Sequence, residues 1–309
     1  MAVTLNQEKT NPSVQTAPTP RGFSVLWTIV RYALLLALGL LFFMPFIISF
    51  FSTFKTTNEI LSWPPTILPK EWLWDNWAAA WNTRIPGVSS NIFPRWLFNS
   101  LWVAVVTVIA QLFFCSLAAY AFARMEFPGK NVLFSIMLAS MAIPGVITLI
   151  PGYVFFAKLN NLPFGIRLGI NTYWPILLPN LAVPFGIFLL TQFFKSIPKE
   201  LEEAATIDGA GRFRTYWSIV LPMARPALIT LGILSFQGSW NNFTGPLLFL
   251  RKPDLMTLTV GLNFFKGQYV NDWPKIMIGT MFNAIPILII FFIFSRYYVE
   301  GQAAAGVKG

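Results

Sequence analysis

Lys195-Ser196-Ile197-Pro198-Lys199-Glu200-Leu201-Glu202-Glu203-Ala204-Ala205-Thr206-Ile207-Asp208-Gly209-Ala210-Gly211-Arg212-Phe213-Arg214-Thr215-Tyr216-Trp217-Ser218-Ile219-Val220-Leu221-Pro222-Met223-Ala224-Arg225-Pro226 is a polar stretch between two long apolar runs. Its first half reads as a short helix. Ser196 is placed to cap it, and proline is tolerated in a first turn. Glu200, Glu202 and Glu203 fall early, where the helix dipole favours anions. Leu201, Ala204, Ala205 and Asp208 recur at i, i+3, i+4 and i+7, so they share a face. Gly209 then ends the helix, because glycine accepts the left-handed terminal conformation. The small Ala204–Ala205 surface lets another protein come close, and Glu203 and Asp208 can pair with basic groups on it. An amphipathic helix lying on a membrane is the alternative, but this one is short, acid-rich and poor in bulky apolar residues.

The surrounding chain belongs in a bilayer. Of its 309 residues 55% are hydrophobic and 11% charged, against about 25% charged in soluble domains. Six apolar runs are long enough to cross as helices: Thr28–Phe51, Leu97–Phe122, Val132–Phe156, Tyr173–Phe194, Ala227–Leu250 and Ile276–Tyr297. The first is too long for a signal-peptide core and ends in no small-residue cleavage site. Prolines such as Pro144, Pro151, Pro184 and Pro286 interrupt or flank the spans, which predicts packed, kinked helices. The expected architecture is all-α and polytopic, with a disordered polar tail over residues 1–24 and a membrane domain over 25–309. Six spans put both termini on one side. Lys and Arg favour that side only slightly.

Composition also excludes functions. There is no histidine, and Cys115 is the only cysteine, so a cysteine metal cluster and an internal disulfide are both out of reach. The net charge of +10 is spread over the loops rather than gathered in a nucleic-acid footprint. An intramembrane enzyme needs convergent acids or histidines, and the spans hold no His and hardly any acid. No Gly-x-x-x-x-Gly-Lys-Ser/Thr phosphate loop is present. Gly129-Lys130-Asn131 lacks both the upstream glycine and the hydroxyl.

One span carries polar groups in number: Ser235-Phe236-Gln237-Gly238-Ser239-Trp240-Asn241-Asn242-Phe243. Such groups are costly in lipid unless they bond a neighbouring helix or line a wet path. Sugar hydroxyls require both donors and acceptors, which Ser, Asn and Gln supply. Helical geometry puts Ser235, Ser239 and Asn242 together, Gln237 on the other side, and Trp240 and Asn241 toward neighbouring helices. Interhelical bonding uses the same residue types and remains open. Gln111, Asn180 and Asn283 stand singly in other spans and read as packing contacts. Two loops face the other side. Ser52–Pro94 is rich in Trp and reads as an interfacial anchor, and Arg251–Lys275 is the better surface for a soluble partner.

The spacing Glu203-Ala204-Ala205, three residues, Gly209, nine residues, Ile219-Val220-Leu221-Pro222 resembles the signature loop of the permeases of binding-protein-dependent ABC importers. Ala119-Tyr120-Ala121-Phe122-Ala123-Arg124-Met125-Glu126-Phe127-Pro128-Gly129-Lys130 and Gly301-Gln302-Ala303-Ala304-Ala305-Gly306-Val307-Lys308-Gly309 resemble stretches of the maltose-type carbohydrate permeases. The likeness spans residues 25–309. It implies a type I importer permease fold in a bacterial or archaeal cytoplasmic membrane, with both termini cytoplasmic and a cytoplasmic coupling loop over 195–226. Glu203, Ala204, Ala205, Asp208 and Gly209 would carry ATPase coupling, and Ser235, Ser239 and Asn242 the substrate path. Implied partners are a second homologous permease, a cytoplasmic ABC ATPase dimer and an extracytoplasmic sugar-binding protein. No cofactor belongs to this chain; ATP and Mg sit on the ATPase. Polyol and glycerol phosphodiester importers share the loop, so it does not choose the solute. In maltose-type importers most sugar contact falls to the partner permease.

Overall fold

The structure is a computed structural model that describes residues 21–86, 88–161, 167–267 and 271–306. Most of the expected polar tail, and the last three residues of the C-terminal stretch, lie outside them. The chain divides into two units, residues 1–48 and 49–309.

Helix α1 (Arg21–Ser52), which supplies the described part of the first unit and ends in the second, begins within the segment expected to be tail, so residues 21–24 are helical. Every side chain from Val25 to Phe46 is exposed. An apolar surface of that length suits lipid or another chain, not water.

The second unit is built around α2 (Ile92–Arg124), which at 33 residues is about 50 Å long. Next come α3 (Lys130–Ser140) and α4 (Gly145–Lys158). The run read as a single, proline-kinked third span is a pair of helices bent by 98°. Pro144 supplies the reason: it excludes helical backbone at the residue before it and cannot donate to the preceding turn. The fourth span comprises α5 (Trp174–Leu177), a 3₁₀ turn at Leu178–Asn180, and α6 (Pro184–Ser196). The coupling segment holds α7 (Glu200–Ile207). Then α8 (Arg212–Met223) and α9 (Arg225–Trp240) meet at a 78° bend. A π turn at Tyr216–Val220 leads into Pro222, and Pro226 opens α9. The expected fifth helix thus ends at Trp240, ten residues before Leu250, and a short helix Thr244–Phe249 follows. The last helix is α10 (Trp273–Gly306). Among the described residues four helices are long and apolar enough to cross a membrane, and up to six if each bent pair counts as one span.

Helix α2 packs against α6 and α9, and α9 also packs on α10. Cys115, Ala119 and Tyr120 of α2 share one core with Ile187, Leu190 and Phe194 of α6 and with Tyr216, Val220, Ala227 and Leu231. Gly186 allows that approach. A Cβ there would sit 3.0 Å from Cys115 Sγ and 3.1 Å from a Leu231 methyl. At the other end of α2, Trp96 Nε1 donates to Pro253 O at 2.7 Å and Asn99 Nδ2 donates to Asp254 O and Met256 O. These bonds tie the return loop to the first turns of α2. Trp72, Trp74 and Trp77 of the preceding segment gather around Phe54, with ring centres 5.3, 4.6 and 6.3 Å away.

Candidate functional site

Helix α7 starts later than its sequence suggests. Ser196 is the last residue of α6, and its hydroxyl donates back to Phe193 O at 2.7 Å. The residue before α7 is Lys199, which makes no side-chain cap bond. Ser196 therefore does not cap, because its hydroxyl is already used inside α6. The other end matches the expectation. Gly209 has φ +80°, the Ala210 N–H bonds Ala205 O at 2.8 Å, and the Gly209 N–H bonds Thr206 O at 3.0 Å. That paired arrangement closes the helix on a left-handed residue. Ala205 is buried against the body, while Glu203, Ala204, Asp208 and Gly209 are exposed. Leu201 shares little of that burial and stays 41% exposed. Ile207 is 86% and Phe213 68% exposed. Acid, small and apolar surfaces thus lie side by side, with the Phe213 ring stacked on Trp217.

Arg124, the last residue of α2, holds this segment from beneath. Its Nη2 donates to Ile197 O at 2.6 Å. Its Nε lies 2.5 Å from Glu202 Oε1, with side chains only 6% and 16% exposed. The N–H is off line, so charge rather than an aligned hydrogen bond joins the pair.

The second locus is a cavity of about 250 Å³ between α2, the turn before α6, and α9. Ser235, Ser239 and Asn242 all line it, together with Thr107, Gln111 and Asn180. Ser235 Oγ donates to Gln111 Oε1 at 2.6 Å and Ser239 Oγ to Thr107 Oγ1 at 3.4 Å. Asn180 Nδ2 donates to Ile176 O at 2.8 Å. Asn242 reaches the cavity by a different route than helical spacing. It lies two residues past the end of α9, and its Oδ1 accepts the Gly245 N–H at 3.2 Å. Gln237 lies on the other side of α9, facing Ile287 and Ile290 of α10. Trp240 Nε1 donates to Asn283 O at 2.9 Å and Asn283 Nδ2 to Asn241 Oδ1 at 3.4 Å, both on the α10 side.

Gln111 and Asn180 thus share the cavity rather than standing alone. The spacing of four between Thr107 and Gln111 was the available signal for α2. Nothing local pointed to Asn180. The cavity offers hydroxyl and amide groups that both donate and accept, with no charge, metal-ligand set or nucleophile–base pair among the residues that line it.

The family described as binding-protein-dependent transport system inner membrane component matches residues 111–300. The chain belongs to this family. It is an inner-membrane permease subunit of an ABC importer, and it performs passage rather than covalent chemistry. It is 34% identical over 71% of its length to the arabinooligosaccharides transport system permease protein of Halalkalibacterium halodurans, covering 76% of that protein. It is 32% identical to the maltose/maltodextrin transport system permease protein of Salmonella typhimurium, over 79% of this chain and 84% of that one. Its fold is that of a chain of a bacterial ABC transporter involved in importing the acidic polysaccharide alginate. The TM-score is 0.73 at 22% identity, covering 92% of this chain and 100% of the other.

Proposed function

We propose that this permease forms half of a path for an oligosaccharide, with Ser235, Ser239 and Asn242 on its wall. The observation that carries the reading is the uncharged cavity between α2 and α9, in which six hydroxyl and amide side chains share the wall with apolar ones. Sugars present hydroxyls that donate and accept beside apolar C–H faces, and the wall carries Ser, Thr, Asn and Gln side chains among apolar ones. A glycerol phosphodiester would call for a cationic partner, and no lining residue is cationic. The named relatives serve arabinooligosaccharides and maltodextrin, which supports the same solute class. A second homologous permease would close the path. The exposed face of α7, with Glu203, Ala204 and Asp208, would dock a cytoplasmic ABC ATPase. A soluble sugar-binding protein would deliver the solute from the opposite side. Closure of the ATPases would then rock the helices between two packings, exposing the path to one side at a time.

The test is uptake of labelled arabino- and malto-oligosaccharides into vesicles that contain the complete complex. Loss of one buried hydrogen bond to substrate costs about 1–3 kcal/mol, a five- to hundredfold effect. Ser239→Leu and Asn242→Leu are expected to lower uptake by that order with the complex still assembled, since leucine also narrows the cavity. Unchanged uptake in both variants, at equal membrane abundance, would remove α9 from the path.

A further inference from the structure

We infer that Arg124 is a positioning residue for energy coupling: its buried pair with Glu202 clamps α7 to α2, so that displacement of α7 moves the cavity wall. This rests on the docking role proposed above for α7. Helix α2 bears polar contacts from the cavity to the coupling segment. Thr107 and Gln111 meet α9 at the cavity. Ser116 Oγ and the Tyr216 hydroxyl lie 2.7 Å apart, Tyr120 OH donates to Arg212 O at 3.4 Å, and Arg124 reaches both Ile197 O and Glu202. Ser116, Tyr120 and Arg124 are spaced by four, one turn apart on one face. From Gln111 to Arg124 is about 20 Å of continuous helix. The two loci therefore share one stiff element.

The pair is placed to feel a docked protein. It lines an open cavity of about 440 Å³ with Lys199, Glu203, Thr206 and Ile207. A side chain entering there would touch Glu202 and Arg124 directly. Burial gives the clamp its sign. Removing one member leaves the other charge desolvated and unpaired, whereas replacing both with apolar groups is tolerated. A pair that only held the fold would therefore be dispensable as a pair. A pair that transmits motion would not.

The experiment uses the complex purified with its ATPase subunit and a reporter thiol, Ser239→Cys in a Cys115→Ala background. The rate at which a small methanethiosulfonate labels it is compared with and without ATP and vanadate. Trapped nucleotide is expected to change that rate about fivefold or more. Arg124→Gln and Glu202→Gln are expected to abolish the change while ATP hydrolysis persists, and the double variant to be no worse than either single. Arg124→Lys, which keeps the charge, is expected to retain part of the response. If the single variants fail to assemble, Arg124→Met/Glu202→Leu removes both charges and its reporter is expected to stay silent. A reporter that still responds in Arg124→Gln, or in that apolar pair, overturns the clamp, as does one that ignores nucleotide in the parent complex. The docking reading is scored separately by ATPase copurification. Glu203→Lys/Asp208→Lys is expected to lose the ATPase, and retention there sinks the docking role whatever the reporter does.

Discussion

Gly209 shows how much one residue decides at the coupling segment. Its φ of +80° lies where an L side chain is crowded, at a cost of about 1–2 kcal/mol. Gly209→Val is expected to fray the end of α7, release Ala205 from its buried seat, and speed proteolysis between 207 and 212 in the purified complex. Gly209→Asn, which tolerates that backbone region, is expected to do so far less. Equal proteolysis of the two variants would show that the turn carries no strain. This glycine was legible because its spacing after the acidic turn has one physical meaning. Ser196 was not, since a serine before Ile-Pro fits both a helix end and a helix start. Only the α6 carbonyl that its hydroxyl bonds tells them apart. Asn180 was illegible for another reason. A single amide in an apolar run has no direction until the neighbouring helices are placed.

At the level of elements, the apolar runs located the spans but not their shape. Proline marked the breaks, but a proline in the sequence carries no angle, so the 98° and 78° bends were not legible. Asn242 joined Ser239 in the cavity although the helix assumed to carry it stops at Trp240. The backbone turns past the end of α9, where Asn242 Oδ1 accepts the Gly245 N–H at 3.2 Å. What holds α9 to α2 is open to measurement. Ser235 Oγ to Gln111 Oε1 is a buried bond between them. Bonds of this kind in membrane bundles contribute about 0.6–2 kcal/mol. Gln111→Leu alone leaves the Ser235 hydroxyl unpaired and is expected to lower the thermal midpoint of the complex. Gln111→Leu/Ser235→Ala is expected to recover part of the loss. Additive losses across that cycle would mean the two side chains do not couple, and that α2 and α9 are held by the apolar core alone.

The second unit as a whole has two ends, and α2 defines them. Ser89 lies exposed just before its first residue, Ile92, while Thr206 lies exposed on α7, the helix clamped to its last residue, Arg124. About 50 Å of helix separates those ends, more than the hydrocarbon core of a bilayer at about 30 Å. With α2 crossing the membrane, as we propose, Ser89 and Thr206 face opposite compartments. Charge gives little help with which is which, because Lys and Arg are nearly balanced between the two sets of loops. The orientation we propose puts Thr206 and both termini in the cytoplasm, because the α7 face is where an ATPase would dock. In a Cys115→Ala background, Ser89→Cys is expected to react with an impermeant maleimide in intact cells. Thr206→Cys is expected to react only after the membrane is opened. The reverse pattern would invert the molecule and with it the docking assignment. Labelling of both in intact cells would mean that α2 does not cross the membrane.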